Sequence, residues 1–196
     1  MNRYDHATAL LAVDVQNDFA DPSGNLYVAG GEMIVDTLNE EIARAEAAGA
    51  TVVYTQDWHP EVTPHFQKDG GIWPVHCVAG TWGAEFHPAL VVKAQADVVR
   101  KGVGGEDGYS GFTMREPESG EQLETGLEDI LRRHGVERVV VAGLATDYCV
   151  RETVLDALRL GYAVTVLQEA VRAVDLEPGD GQRALDDMRD AGATLA

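Results

Sequence analysis

Four times along the chain a charged run with helical spacing stops at a glycine and hands over to a short apolar run: EIARAEAAGATVVYT, ILRRHGVERVVVAG, ALRLGYAVTVL and DDMRDAGATLA. Glycine just past the last turn is the common helix stop, because it takes the left-handed backbone conformation without a Cβ clash. The apolar runs that follow are short and rich in valine, as strands buried on both faces are. With ATALLAVDV at the start and ADVVRKG near the middle, the pattern predicts about six strands, most of them joined by helices. Such alternation implies the α/β class: a three-layer α/β/α sandwich with a six-stranded, mainly parallel sheet covered on both faces. One stretch breaks the rhythm. From Asp57 to Pro88 the chain is rich in Pro, Gly, His and Trp, and a connection that long inside a compact domain is usually functional, so it is expected over the active edge.

At 196 residues with 45% hydrophobic residues, the chain can bury one substantial core. No Pro/Ser-rich or low-complexity stretch divides it, which predicts a single domain over residues 1–196. Fifteen Lys plus Arg against 33 Asp plus Glu give a formal charge of −18, which repels phosphate backbones and anionic lipid surfaces. No nucleic acid or membrane partner is therefore expected. The apolar run near the N-terminus is short, ends in charge and carries no cleavage pattern, and nowhere do about 18 apolar residues follow one another. A soluble, cytoplasmic protein is expected. Cys77 and Cys149 are the only cysteines, too few for a secreted disulfide framework. No interface pattern is legible, and homo-oligomerisation stays open.

In open α/β sheets, ligands bind outside the carboxyl ends of the strands. Those ends read AVDVQNDF, YTQDWH, VVRKG and VAGLATDYC, which sends Asp14, Asp57, His59, Lys101 and Cys149 towards one edge. Cys149 falls two or three residues into the helix that ATDYCVRETVLDALRLG predicts, with Thr146 or Asp147 available as N-cap. Free amides and the positive helix end there would stabilise a thiolate. A lone cysteine is commonly a small buried hydrophobe, yet a strand-to-helix elbow is where α/β hydrolytic enzymes present their nucleophiles. No histidine follows Cys149 in the chain, which argues against a papain-like pair. Asp14 and Lys101 offer another solution, in which the carboxylate takes the thiol proton and the ammonium stabilises the anions that form. Taken singly, Asp14 reads as a turn residue and Lys101 as a surface charge.

DWHPEVTPHF and WPVHC place Asp57, His59, His65 and His76 in one short segment. Asp57 and His59 are two apart, so in extended chain their side chains share a face. Three imidazoles and a carboxylate suit Zn, Fe(II), Mn or Co with open positions for water and substrate. The spacing matches no common zinc-finger or H-E-x-x-H pattern, and histidines that cap turns and pack within a loop are the alternative. Cys77, beside His76, is read as a buried neighbour rather than a ligand. Phe19, Trp73 and Tyr109 are aromatics in loops next to the site, whereas Trp58 and Trp82 read as packing.

Taken together, DVQNDF, DWHP, HF, WPVHC, RKG, YSGF and GLATDYCVRET resemble, in order and over nearly the whole chain, the nicotinamidase/pyrazinamidase branch of the isochorismatase-like cysteine hydrolases. The resemblance implies hydrolysis of nicotinamide to nicotinate and ammonia, in the service of NAD salvage, with one divalent metal ion (Zn, Fe or Mn). It also implies Asp14, Lys101 and Cys149 as the catalytic triad and Asp57, His59, His65 and His76 as metal ligands. Phe19 and Trp73, with Tyr109, would pack the substrate ring. The backbone amides of Ala145 and Cys149 would form the oxyanion hole after a cis peptide between Leu144 and Ala145, with Leu144 also at the substrate. Relatives acting on isochorismate or carbamoyl compounds often lack the metal quartet, so its presence favours a nicotinamidase. An amidase for another small amide or carbamoyl compound, and a non-catalytic metal- or ligand-binding domain, are the alternatives. Two departures from the family pattern bear on ring specificity: Tyr148 stands where histidine is common, and the loop KGVGGEDGYSGF is acidic and glycine-rich.

Overall fold

The computed structural model describes residues 3–196. Six strands form one fully parallel sheet: β1 (Thr8–Val13), β2 (Thr51–Asp57), β3 (Asp97–Lys101), β6 (Arg138–Leu144), β7 (Ala163–Arg172) and β8 (Thr194–Leu195). Their order across the sheet is β3-β2-β1-β6-β7-β8. The chain thus lays strands to one side of β1 and then crosses to the other, so that Thr8 pairs with Arg138 and Val13 with Gly143. Every residue of β1 is buried. Successive side chains of a strand point to opposite faces, and β1 divides accordingly. Leu10 and Ala12 pack under α2 (Ile34–Ala47) with Leu38 and Ile42, whereas Ala9, Leu11 and Val13 join Leu131, Val154, Ala157 and Met188 on the other face. That second layer is α3 (Leu127–Arg133), α4 (Arg151–Arg159) and α5 (Asp180–Asp190). Burying one such Leu or Ile side chain contributes about 1.5–3 kcal/mol, and both layers draw on it.

The glycines after the four sequence-predicted helices, Gly49, Gly135, Gly161 and Gly192, all adopt positive φ, so the helices stop where the pattern placed their ends. The connection from β2 to β3 carries only short 3₁₀ turns. A short helix α1 (Asn17–Ala20) follows β1, and a two-stranded antiparallel hairpin, β4 (Thr113–Arg115) and β5 (Gln122–Glu124), stands apart from the sheet. The sequence pattern anticipates neither. No helix among the described residues is long and apolar enough to cross a membrane.

Candidate active site

The carboxyl ends of β1, β2 and β3 and the start of the chain after β6 meet at a buried cluster of charge. Lys101, the last residue of β3, is only 1% exposed, with its Nζ 2.8 Å from Asp14 Oδ2 and 2.7 Å from Asp57 Oδ1. The same ammonium donates to the Tyr109 carbonyl at 3.2 Å and lies 3.4 Å from Cys149 Sγ. Asp14 leaves β1 with φ +49°, a backbone state that costs a non-glycine residue about 1–3 kcal/mol and is found most at functional sites. Its Oδ1 accepts the Thr55 hydroxyl at 2.5 Å.

One cation between two carboxylates sets the protonation of the whole group. Burial pushes the Asp57 carboxyl up, but Lys101, His59 and His76 outweigh it and hold this group well below the usual carboxylate range. Asp14 is raised, because its burial exceeds the opposing pull of Lys101. Lys101 is pushed far up by its two anions despite burial. The Cys149 thiol is also well above its ordinary value: burial dominates, Lys101 opposes it, and Asp14 and Asp57 add to it. Burial thus opposes the helix-end effect that would stabilise a thiolate.

The helix start itself differs from the expected one. Thr146–Val150 form a π-helical turn ahead of α4, and neither Thr146 nor Asp147 caps it. The Ala145 carbonyl takes the amides of Tyr148 and Val150, while the Asp147 carboxylate accepts the backbone amides of Val174 and Asp175 at 2.9 Å each. Leu144 and Ala145 are joined by a cis peptide. The Leu144 side chain is fully buried in the core against Gly31. The cleft beside it is lined by Phe19, Trp73, Tyr109, Ala145, Tyr148 and Cys149 among others. Trp73 donates its indole N–H to the Tyr109 hydroxyl at 3.0 Å, and Tyr148 meets both rings edge-on at 4.9 and 5.2 Å. Tyr148 is thus part of the aromatic wall, a place that its sequence position beside Cys149 suggests only faintly.

Beside Lys101, His59, His65 and His76 each offer a ring nitrogen within 4.8 Å of the others. The Nε2 atoms of His59 and His76 lie 3.9 and 4.0 Å from Asp57 Oδ2. A metal fits these residues on two observations. Both ring nitrogens of His59 are buried without a hydrogen-bond partner, and burial, against the pull of Asp57, pushes His76 down to about 4, so it is the neutral imidazole a metal takes. A Cβ on Gly102, at φ +75°, would sit 2.6 Å from His59 Nδ1, so glycine after Lys101 leaves room for that ring. Cys77 is fully buried with its sulfur towards the Gly83 carbonyl, and both cysteines are free.

Two residues of the DVQNDF stretch hold this frame without having been singled out by sequence. The Gln16 side chain donates to the Asp57 carbonyl at 2.7 Å and accepts the Asp57 amide at 2.8 Å. The buried Asp18 carboxylate accepts the Cys77 amide at 2.7 Å and the Asn25 amide at 2.9 Å, tying down the turn that carries His76. Only the motif itself hints at them, since their partners lie far away in the chain.

The isochorismatase domain family matches residues 8–196. The nicotinamidase of Escherichia coli (strain K12) is 41% identical over 203 residues, covering 95% of this chain and 93% of that protein. Among solved structures, the pyrazinamidase of Pyrococcus horikoshii in complex with zinc superposes with a TM-score of 0.86 at 41% identity, covering 97% of this chain and 98% of the other. PnC1 from L. infantum in complex with nicotinate gives a TM-score of 0.86 at 36% identity, covering 97% and 92%.

Proposed function

This chain belongs to the isochorismatase family, and on that premise we propose that it is a metal-dependent nicotinamidase, hydrolysing nicotinamide and pyrazinamide-like amides to the acid and ammonia. The observation that carries the reading is the Lys101 ammonium set between Asp14, Asp57 and the Cys149 sulfur beside three clustered histidines, at the foot of an aromatic cleft. Asp14, Asp57 and Lys101 come from the ends of β1, β2 and β3 and Cys149 from the turn after β6, while His59, His65 and His76 come from the β2–β3 connection.

In the mechanism, the flat ring lies against Phe19 and Trp73 with its carboxamide carbon at Cys149. The thiol gives its proton to Asp14 as the sulfur attacks, and the thiolate character that develops is held by Lys101. Asp14 is suited to this exchange because burial already raises its affinity for a proton. The tetrahedral oxyanion is received by the amides of Ala145 and Cys149, where loss of a single donor typically costs about 2.7–4 kcal/mol. Asp14 then returns its proton to the amide nitrogen, the C–N bond breaks, and ammonia leaves a thioester on Cys149. Water attacks the thioester with Asp14 again as base, the C–S bond breaks, and the acid departs with the thiol restored. Asp57, His59, His65 and His76 would hold a divalent cation, which would supply a Lewis-acid centre and a fixed positive charge to the site. Two free thiols are consistent with a reducing compartment, and we place the protein in the cytoplasm.

A panel of nicotinamide, pyrazinamide, benzamide and a small N-carbamoyl compound, read by ammonia release, tests the assignment. The heteroaromatic amides should be turned over with the highest kcat/KM. Preference for the carbamoyl compound, or release of ammonia from none of them, would overturn it.

A further inference from the structure

We propose that Asp107, on the glycine-rich loop after β3, is a positioning residue for the metal site: it fixes the tautomer and orientation of His65 and thereby sets the affinity for the cation. The proposal rests on reading Asp57, His59, His65 and His76 as metal ligands, and concerns a residue outside that set. His65 Nδ1 lies 2.7 Å from Asp107 Oδ1. An ionised carboxylate only accepts hydrogen bonds, so Nδ1 must carry the proton, and the lone pair is left on Nε2. This is the carboxylate–histidine–metal arrangement, in which the outer partner holds the ring and raises its basicity.

The three histidines differ in how their rings are held. His76 has Nδ1 2.7 Å from the Pro74 carbonyl, a backbone support that no side-chain change removes. Neither ring nitrogen of His59 has a partner. His65 alone depends on a side chain, and that side chain is itself placed with care. Asp107 Oδ1 also accepts the Gly108 amide at 2.9 Å, and the Asp107 backbone pairs with Arg115 of β4 in an antiparallel bridge, its amide donating to the Arg115 carbonyl at 2.8 Å. The carboxylate is therefore aimed by the loop and hairpin together. The pair spans the wall of the site, since the His65 side chain is 5% exposed and that of Asp107 50%. Asp107 can thus be changed from the solvent side while the ligand it supports stays buried.

The test compares full-length wild type with Asp107→Ala, Asp107→Asn and Glu106→Ala, the last removing the neighbouring acid of the same loop. Zn(II) affinity is measured by competition with a chromophoric chelator. The His65 tautomer is read in the chelated protein by ¹⁵N NMR, with the resonance assigned from its loss in His65→Ala. Asp107→Ala should weaken Zn(II) binding about 10- to 100-fold, the usual effect of losing an outer-shell partner, and should move His65 away from the Nδ1–H form. Asp107→Asn keeps an acceptor oxygen and should fall between, and Glu106→Ala should bind as wild type. Unchanged Zn(II) affinity in Asp107→Ala, an equal loss in Glu106→Ala, or an Nδ1–H tautomer that survives removal of the carboxylate would each overturn the assignment. None of these readouts uses an amide substrate, so failure here is distinguishable from failure of the nicotinamidase reading. The NMR measurement still decides the matter if a variant is less stable.

Discussion

Replacing Lys101 with Met removes one charge and little volume, and its cost follows from what that charge neutralises. The ammonium is 1% exposed and within 2.8 Å of a carboxylate oxygen on both Asp14 and Asp57. Removing one partner of a buried ion pair costs about 3–5 kcal/mol, because the remaining charge has neither water nor partner. For a domain of this size that corresponds to a fall in Tm of about 6–20 °C. Urea melts of chelated protein are the assay, since no cation then substitutes for the ammonium at Asp57. The sharper form is a double-mutant cycle with Asp14→Asn, as two groups in one network should not behave additively. With Lys101 gone, neutralising Asp14 relieves repulsion from Asp57, so Lys101→Met/Asp14→Asn should be more stable than Lys101→Met alone. Iodoacetamide alkylation of Cys149 near neutral pH should also slow in Lys101→Met, as the thiol loses the one neighbour that lowers its pKa. A loss under about 1 kcal/mol, strict additivity in the cycle, or an unchanged alkylation rate would refute the role given to this lysine.

Cys149→Ala should abolish amide hydrolysis while circular dichroism and metal content stay as in wild type, whereas Cys77→Ala should keep most of the activity and lose about 1 kcal/mol of stability; equal activity losses would mean the wrong thiol has been assigned. Chelation should leave a cooperative melt and an alkylatable Cys149 but remove nicotinamide hydrolysis until Mn, Fe(II) or Zn is restored, and benzamide should be the poorer substrate of the loaded protein by kcat/KM. A third expectation concerns Glu41, which is buried and bonded to Tyr4, Arg3 and Arg44. Burial pushes its carboxyl up, but the three hydrogen bonds outweigh this and hold it below its ordinary value. A depressed folded pKa contributes stability that is present above the unfolded value, about 4.3, and is lost as pH falls through the folded one. The stability gap between wild type and Glu41→Gln, from urea melts, should therefore be wide at pH 7 and shrink in acid; a gap independent of pH would contradict the assignment.

Much of the six-stranded sheet is legible in the sequence because β2, β6, β7 and β8 each follow a glycine helix stop, and the central strands β1 and β6, buried on both faces, carry no polar alternation. The edge at which Asp14, Asp57, Lys101 and Cys149 gather follows from strand direction alone. What escapes is set by contacts between distant residues. The hairpin at Thr113–Arg115 and Gln122–Glu124 consists of three-residue strands in a charged stretch, FTMREPESGEQLET, with no apolar period to mark it. The helix start after β6 looks capped by Thr146 or Asp147, but the Asp147 carboxylate is taken by amides 27 and 28 residues away. Gln16 and Asp18 act on backbone 41 and 59 residues distant. The upward push that burial gives the Cys149 thiol is likewise invisible in its position at a helix end.

The placement of β1 governs the order in which the chain can become an enzyme. Its six residues, TALLAV, are entirely buried, and one flank is covered only when Arg138 arrives opposite Thr8, where it also bonds Asp5. During synthesis the most apolar strand therefore waits, with a bare hydrogen-bonding edge, for a partner encoded two thirds of the chain later. Pairings so distant in sequence form slowly, and unpaired edges invite association with other chains. A polypeptide ending before β6 would hold Asp14, Asp57 and Lys101 but neither the shield for β1 nor Cys149. Protection of β1 and arrival of Cys149, the proposed nucleophile, come from the same late segment, so a chain too short to react by that route also carries an exposed strand edge.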